Sequence, residues 1–93
     1  MKATLKGRVL AASDDIVEVG GYQYFPRAAV RMDWLEKSEK TADDLECPHG
    51  VQFYDVMIDG VRHERAAWSY EAPGAPMAKV AHRLGFWEDV EVG

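Results

Sequence analysis

The sequence contains a single cysteine, Cys47, among its 93 residues. One thiol cannot form an intramolecular disulfide, and it cannot supply the paired thiolates of the usual structural zinc sites. Small extracellular domains commonly depend on several disulfides, so a lone cysteine favours a reducing compartment. We therefore expect a cytoplasmic protein. The natural ligand set for another metal site would be Cys47, His49, His63 and His82, but nothing in the sequence fixes His82 near the others, so we expect no metal site. No motif in the chain calls for a cofactor.

Long apolar runs are also missing. The basic residues near the N-terminus are not followed by the apolar segment that a signal peptide requires. No stretch approaches the roughly 20 apolar residues that span a bilayer. We therefore expect neither export nor a membrane partner.

Basic charge is scarce as well. Lysine and arginine total 11 against 16 acidic residues, so the formal net charge is −5. Affinity for a phosphate backbone comes mainly from lysine and arginine, so we expect no nucleic-acid partner. A local anion pocket remains compatible with the charge, because Arg62, Arg65 and Arg83 lie outside the acidic stretches. The length and the 47% hydrophobic content predict one globular domain over residues 1–93.

Alternating apolar residues and turn signals predict antiparallel strands. Residues 2–11, 16–19 and 22–25 are expected to form a three-stranded meander, with Gly20-Gly21 as one of its turns. Residues 51–58 are apolar on both faces, which is typical of a central strand covered on both sides. Asp59-Gly60 is a hairpin dipeptide that leads to a partner strand at 61–70. Residues 84–92 are expected to form the last strand.

The segments between these strands are short or strongly polar. Pro26 favours the start of a short helical turn, and residues 77–82 predict another. Residues 36–46 carry so many charges that we expect a solvated surface loop. The predicted fold is therefore mainly β (α+β), a small antiparallel domain of five to six or more strands. We expect two packed sheets or a bent, tent-like sheet, with one or two short helical turns.

Cys47 and His49 form the most suggestive local cluster. A cysteine becomes a nucleophile when a nearby base or positive charge stabilises its thiolate. His49 follows two residues later and would act as that base only if a turn brought its ring back. The alternative is that Cys47 is a small buried side chain and that residues 48–50 lead into the central strand.

A second candidate site comes from aromatic residues on the 61–70 strand. Ala66, Trp68 and Tyr70 are expected to share one strand face, where the two rings would form a wall for a flat ligand. Arg27 or Arg65 would supply charge beside it. The alternative is core packing, in which the polar tips of tyrosine and tryptophan find internal partners.

Short motifs along nearly the whole chain are similar to those of one bacterial protein family. The matching residues are Lys2-Ala3-Thr4, Gly7, Val9-Leu10-Ala11, Ser13-Asp14-Asp15, Tyr24-Phe25-Pro26, Cys47-Pro48, Gly50, Phe53-Tyr54-Asp55-Val56, Ala66-Ala67-Trp68-Ser69-Tyr70, Pro73, Phe86-Trp87 and Val90-Glu91-Val92. Together they resemble family 427 of the domains of unknown function. The resemblance implies a cytoplasmic, single-domain, β-rich protein, and some catalogues label the family a nucleotidyltransferase. It singles out Tyr24, Cys47, Trp68 and Tyr70 as candidate site residues.

The chain departs from the family pattern near the cysteine. Relatives usually carry threonine before Cys-Pro, and an aromatic residue, lysine and glycine after it, whereas here His49 precedes Gly50 and the lysine is missing. If that lysine binds an anion in relatives, this chain has lost the function or transferred it to His49. The glycine-serine and paired-carboxylate motif of a typical nucleotidyltransferase is also missing.

Three function hypotheses follow. The first is a domain that binds a small polar or aromatic ligand between the Trp68 and Tyr70 strand and the loops of Tyr24 and Cys47. The second is an enzyme, either a transferase acting on a nucleotide-like substrate or a thiol-dependent catalyst. The third is a homo-oligomer or partner-binding module in which Trp34 and Trp87 are interface anchors.

Overall fold

A computed structural model of the chain describes residues 1–75 and 77–93. The strands are, in chain order, β1 (Lys2–Leu5), β2 (Arg8–Ala12), β3 (Val17–Val19), β4 (Tyr22–Tyr24), β5 (Leu35–Lys37), β6 (Val51–Ile58), β7 (Val61–Tyr70), β8 (Gly85–Phe86) and β9 (Glu91–Val92). One short helix, α1 (Ala42–Glu46), accompanies them, and 3-10 turns cover Arg27–Ala29, Met32–Trp34 and Met77–Val80.

These strands build three antiparallel sheets. The strand orders are β2-β1-β9, β3-β4 and β5-β6-β7-β8. The predicted fold class, a small antiparallel domain that is mainly β, is therefore confirmed. No helix within residues 1–75 and 77–93 is long and apolar enough to cross a bilayer.

The predicted three-stranded meander is wrong. The chain reverses at Lys6 and Gly7, where φ is 50° and 78°, so residues 2–12 form a hairpin rather than one strand. The strand β1 then lies between β2 and β9, while the Gly20-Gly21 hairpin forms a separate two-stranded sheet. Alternation alone did not reveal the reversal, because a two-residue turn leaves the apolar period almost unchanged.

The predicted last strand is also wrong in extent. Residues 84–92 contain two short strands, β8 and β9, which belong to different sheets. A turn separates them, in which the Val90 N–H donates to the Trp87 carbonyl at 3.1 Å and Glu88 has a φ of 57°. A shared apolar face therefore did not mean a continuous strand.

The acidic segment at 36–46 is more ordered than the expected surface loop. It contributes to β5 and forms α1, whose N-terminus is closed by a capping box between Thr41 and Asp44. The Thr41 hydroxyl accepts the Asp44 N–H at 3.2 Å, and the Asp44 carboxylate accepts the Thr41 N–H at 3.0 Å. Asp44 is only 5% exposed, so one of these charges belongs to the interior.

The predicted central strand and its hairpin are confirmed. The strand β6 lies between β5 and β7, and the turn at Asp59-Gly60 connects it to β7. Its two faces pack into two different apolar clusters. Tyr54 and Val56 belong to the larger core, and Val51 belongs to a smaller cluster. The smaller cluster consists of Tyr24, Val51, Trp68 and Val80, with half-buried residues packed around it.

Candidate functional site

A pocket of about 130 Å³ opens on the outer side of the smaller cluster. We call it the aromatic pocket, and its lining residues are Tyr22, Val51, Phe53, Trp68, Tyr70 and Trp87.

Strand register places four of these side chains on one sheet face. Phe53 pairs with Trp68, and Val51 pairs with Tyr70, across the β6 and β7 strands. Residues that face each other across an antiparallel pair, and their neighbours two positions along, project from the same side. The prediction that Trp68 and Tyr70 share a face is therefore confirmed, although Ala66 packs in the larger core.

The remaining two rings come from outside this strand pair. Tyr22 belongs to β4, and its ring meets Trp68 edge to face at 4.9 Å with an interplanar angle of 87°. Trp87 follows β8 and meets Trp68 at 5.4 Å and 67°. Trp87 also stacks on Phe53 at 5.8 Å and 29°. Three chain segments thus supply the walls of the aromatic pocket.

Trp68 is the buried base of this arrangement. It is 4% exposed and lies against Gly85, its partner across the strands, where an added Cβ would come within 2.7 Å of its Cζ2 atom. Its Nε1 atom is buried and makes no hydrogen bond among the described residues. Glycine is required at position 85 because only its bare backbone allows the indole so close.

Tyr24 lies behind the pocket rather than in its lining. Its ring packs 5.9 Å from Trp68 and 6.3 Å from Tyr70, and the residue is 2% exposed. Burial raises the pKa of Tyr24 to about 12, although the nearby indole N–H of Trp68 lowers it in part. Because its hydroxyl stays protonated at neutral pH, Tyr24 supports the pocket as a neutral core residue.

Arg65 has an unusual backbone conformation at the edge of the pocket. Its φ is 54°, in the left-handed region that non-glycine residues seldom adopt. The β6–β7 register shifts here, and the Arg65 N–H donates to the Asp55 carboxylate at 2.9 Å instead of to a ladder carbonyl. The Arg65 carbonyl accepts the indole N–H of Trp87. This bulge therefore ties one pocket wall to the strand.

The side chain of Arg65 is already engaged. Its two terminal nitrogens donate to the two oxygens of Asp44 at 2.9 and 3.0 Å, while its Cζ atom lies 3.9 Å from the centre of the Phe53 ring. The hydrogen bonds from Arg65 lower the pKa of Asp44 to about 2, against the opposing effect of its burial. Arg65 thus packs against one face of the Phe53 ring while its charge is paired with Asp44.

Asp55 is a second buried acid that the sequence did not single out. It is 8% exposed and accepts hydrogen bonds from Ser38 at 2.5 Å and Arg62 at 2.6 Å, in addition to the Arg65 N–H. Burial raises its pKa, but these donors outweigh that effect and leave the pKa below its ordinary value. The acid therefore holds the bulge together in its charged form.

Arg27 lies on the opposite face of the sheet from the pocket. It donates to the hydroxyl of Ser69 at 3.0 Å and to the carbonyl of His82 at 3.0 Å. Ser69 projects away from Trp68 and Tyr70 because successive strand residues alternate between faces. The structure therefore does not bring Arg27 together with the aromatic residues beside which it was expected.

Cys47 and His49 contact different neighbours. Cys47 follows α1 and packs, half-buried, against the smaller cluster. The His49 ring accepts the Gly74 N–H through Nδ1 at 3.3 Å and meets Tyr70 edge to face at 5.7 Å. Among the described residues no hydrogen bond joins the thiol to this imidazole. Within residues 1–75 and 77–93, no three histidine, cysteine, aspartate or glutamate side chains are grouped so that they could hold a metal ion.

Trp34, the other expected interface anchor, is half-buried and covered by an arginine. The guanidinium carbon of Arg31 lies 4.1 Å above its ring centre. Its role in an interface stays a prediction, as does that of Trp87, which lines the aromatic pocket.

Sequence reasoning found two of the six pocket residues. Phe53 could have been predicted as a pocket residue, because the turn at Asp59-Gly60 sets the approximate register between β6 and β7 and so places Phe53 near Trp68. The bulge at Arg65 shifts this register, so counting residues back from the turn does not give the pairing directly. Nothing local indicated Tyr22 or Trp87, since each reaches the pocket from a separate segment.

The fold and the pocket define a small antiparallel β domain with a half-open aromatic site. Residues 1–92 match the family model described as "Domain of unknown function (DUF427)", and the chain belongs to that family. No curated protein matches the chain. The expected family membership is thus confirmed, while the family description states no activity.

Proposed function

We propose that this protein is a binding domain that holds a small ligand in the aromatic pocket. The observation that carries the proposal is the convergence of five aromatic rings from separate segments around an open space rather than a filled core. Ligand sites are typically concave and lined mainly by apolar and aromatic side chains.

The exposure of the lining rings supports this function. Tyr22 is 41% exposed, and Phe53, Tyr70 and Trp87 are half-buried, so the pocket surface reaches solvent. A domain that used these rings only for stability would gain more by burying them, because burial stabilises roughly in proportion to apolar area.

The size of the pocket limits the ligand. Its volume of about 130 Å³ is close to that of an apolar cavity of about 150 Å³ that accommodates benzene. Pockets for larger, drug-sized ligands usually measure roughly 300–1,000 Å³. We therefore infer a ligand, or a ligand group, no larger than one six-membered ring. A whole nucleotide would leave most of its surface outside the aromatic pocket, so this pocket suits a smaller ligand.

Titration of the isotope-labelled protein with phenol tests the proposal by NMR. We expect saturable shifts that include the indole signals of Trp68 and Trp87. The Tyr22→Ala variant should weaken binding roughly two- to tenfold, which is the value of one aromatic contact. Tyr22 is exposed enough for the variant to fold.

Val61→Ala is the matched control, because Val61 is also an exposed strand residue, at 54%, and does not line the pocket. Its affinity should equal that of the unchanged protein. Shifts scattered over the surface, or an equal loss in both variants, would contradict a specific pocket.

A further inference from the structure

We propose that the group bound in the aromatic pocket is a methylated ammonium cation. This inference rests on the proposed binding function and specifies the chemistry of the ligand. It depends on the angles between the pocket rings, the volume they enclose and the charges around them.

The ring angles favour a rounded group over a flat one. Tyr22 and Trp87 both stand steeply against Trp68, at 87° and 67°. A flat ring that stacks on one wall presents only its edge to a wall at such an angle, so it covers one aromatic face at a time. A tetrahedral trimethylammonium group presents methyl groups in several directions and can contact all of the walls together.

The enclosed volume suits the same group. A space of about 130 Å³, close to that of the benzene-sized cavity of about 150 Å³, also accommodates a nitrogen with its methyl substituents. The rest of such a ligand would extend through the open side, past the exposed ring of Tyr22. The pocket would then recognise one end of a molecule and leave the other end in solvent.

The electrostatics favour a cation over a neutral group of the same shape. Aromatic faces are negative, and cages of tyrosine, tryptophan and phenylalanine attract quaternary ammonium groups. None of the six lining side chains carries a formal charge that would repel a cation. The net charge of −5 adds a long-range attraction.

Arg65 is the cation that opposes this inference, because it lies 3.9 Å from the Phe53 ring. Both oxygens of Asp44 accept from its guanidinium, so the charge is balanced within the protein. The same contact shows that an aromatic ring of this site already holds a positive group. Tyr22, Tyr70 and Trp87 remain available to the ligand.

Choline and 3,3-dimethylbutanol provide the direct test, because they have nearly the same shape and differ in charge. NMR titration of the full chain should show choline binding about tenfold more tightly than the neutral alcohol. Tyr22→Ala should weaken choline binding about tenfold, whereas Tyr22→Phe should retain it, since the ring face and not the hydroxyl supplies the attraction. Choline affinity that is unchanged in Tyr22→Ala would overturn the inference.

The same titration separates this inference from the proposed function. If phenol binds in the pocket and choline binds no better than 3,3-dimethylbutanol, the ammonium inference is overturned and the binding function stands. If none of the probes binds there, both fail.

A short peptide with trimethyllysine, compared with the unmethylated peptide, identifies the source of the cation. Tighter binding of the methylated peptide than of choline supports a modified protein side chain. The reverse order supports a free small molecule. If the two peptides bind equally and choline shows no preference, the inference is overturned.

Discussion

Replacing Asp44 with asparagine should destabilise the protein by removing the negative half of its most buried salt bridge. Asp44 is 5% exposed, and its carboxylate accepts hydrogen bonds from both terminal nitrogens of Arg65. Asparagine has nearly the same shape, so the helix cap at Thr41 can persist while the charge is lost. The arginine would then remain beside Phe53 without its counter-ion.

The magnitude follows from the pKa of the carboxyl. Hydrogen bonds from Arg65, with smaller contributions from Thr41, lower the pKa of Asp44 from 3.8 to about 2 against the opposing effect of its burial. Each pKa unit corresponds to about 1.4 kcal/mol, so the charged form stabilises the fold by roughly 2 kcal/mol at neutral pH. We expect Asp44→Asn to lower the free energy of unfolding by about that amount.

The effect should depend on pH in a defined direction. The pKa of Asp44 is lower in the folded protein than in the unfolded chain, so its stabilisation is fully present above pH 3.8 and is lost as the pH falls through about 2. The variant has no carboxyl to titrate at this position. The stability difference between the two proteins should therefore fall to about one-third of its neutral value near pH 2.5.

Urea unfolding followed by tryptophan fluorescence measures both quantities. Asp33→Asn is the matched control, because Asp33 also accepts two hydrogen bonds from one arginine, Arg31, but is largely exposed. Exposed ion pairs contribute little, so this control should change stability far less than Asp44→Asn. Equal effects of the two substitutions would refute the assignment of the stabilisation to the shielded hydrogen bonds between Asp44 and Arg65. A stability difference that does not become smaller in acid would refute it as well.

Two further substitutions test the packing around the candidate site. Gly85→Ala would place a Cβ 2.7 Å from the Trp68 ring and should cost about 1–3 kcal/mol in thermal unfolding. Gly74→Ala is the control and should be nearly neutral, because its Cβ would lie within 4 Å of no atom among the described residues. Equal effects of the two substitutions would contradict the close contact at Gly85. Ser69→Ala removes a fully buried hydroxyl that accepts from Arg27 and should cost roughly 1–3 kcal/mol in urea unfolding. No loss there would show that the hydrogen bond is replaced by solvent.

The central hairpin was predictable because its signals are local. Residues 51–58 are apolar on both faces, and Asp59-Gly60 supplies the turn that returns the chain, so β6 and β7 followed without tertiary information. The prediction that Trp68 and Tyr70 lie on the same strand face followed from the alternation of side chains along a strand.

The breaks in the outer strands were not predictable in the same way. The turn at Lys6 and Gly7 preserves the apolar alternation on either side, so a hairpin looked like one strand. Residues 36–46 were predicted to be a solvated loop, because the density of charges along a segment does not show which carboxylate forms a salt bridge with an arginine. Asp44 became an interior residue only because the bulge at Arg65 directs a guanidinium to it.

By itself, the sequence determined the family, the antiparallel β class and the central hairpin, because these depend on motifs and short-range periodicity. It also excluded a disulfide framework, since one cysteine cannot pair within the chain. Only the tertiary structure decided which rings enclose the pocket. Tyr22 and Trp87 reach Trp68 from two other segments, and Arg27 proved to lie on the opposite sheet face. Contacts between distant segments depend on how the sheets pack, which local sequence patterns do not encode.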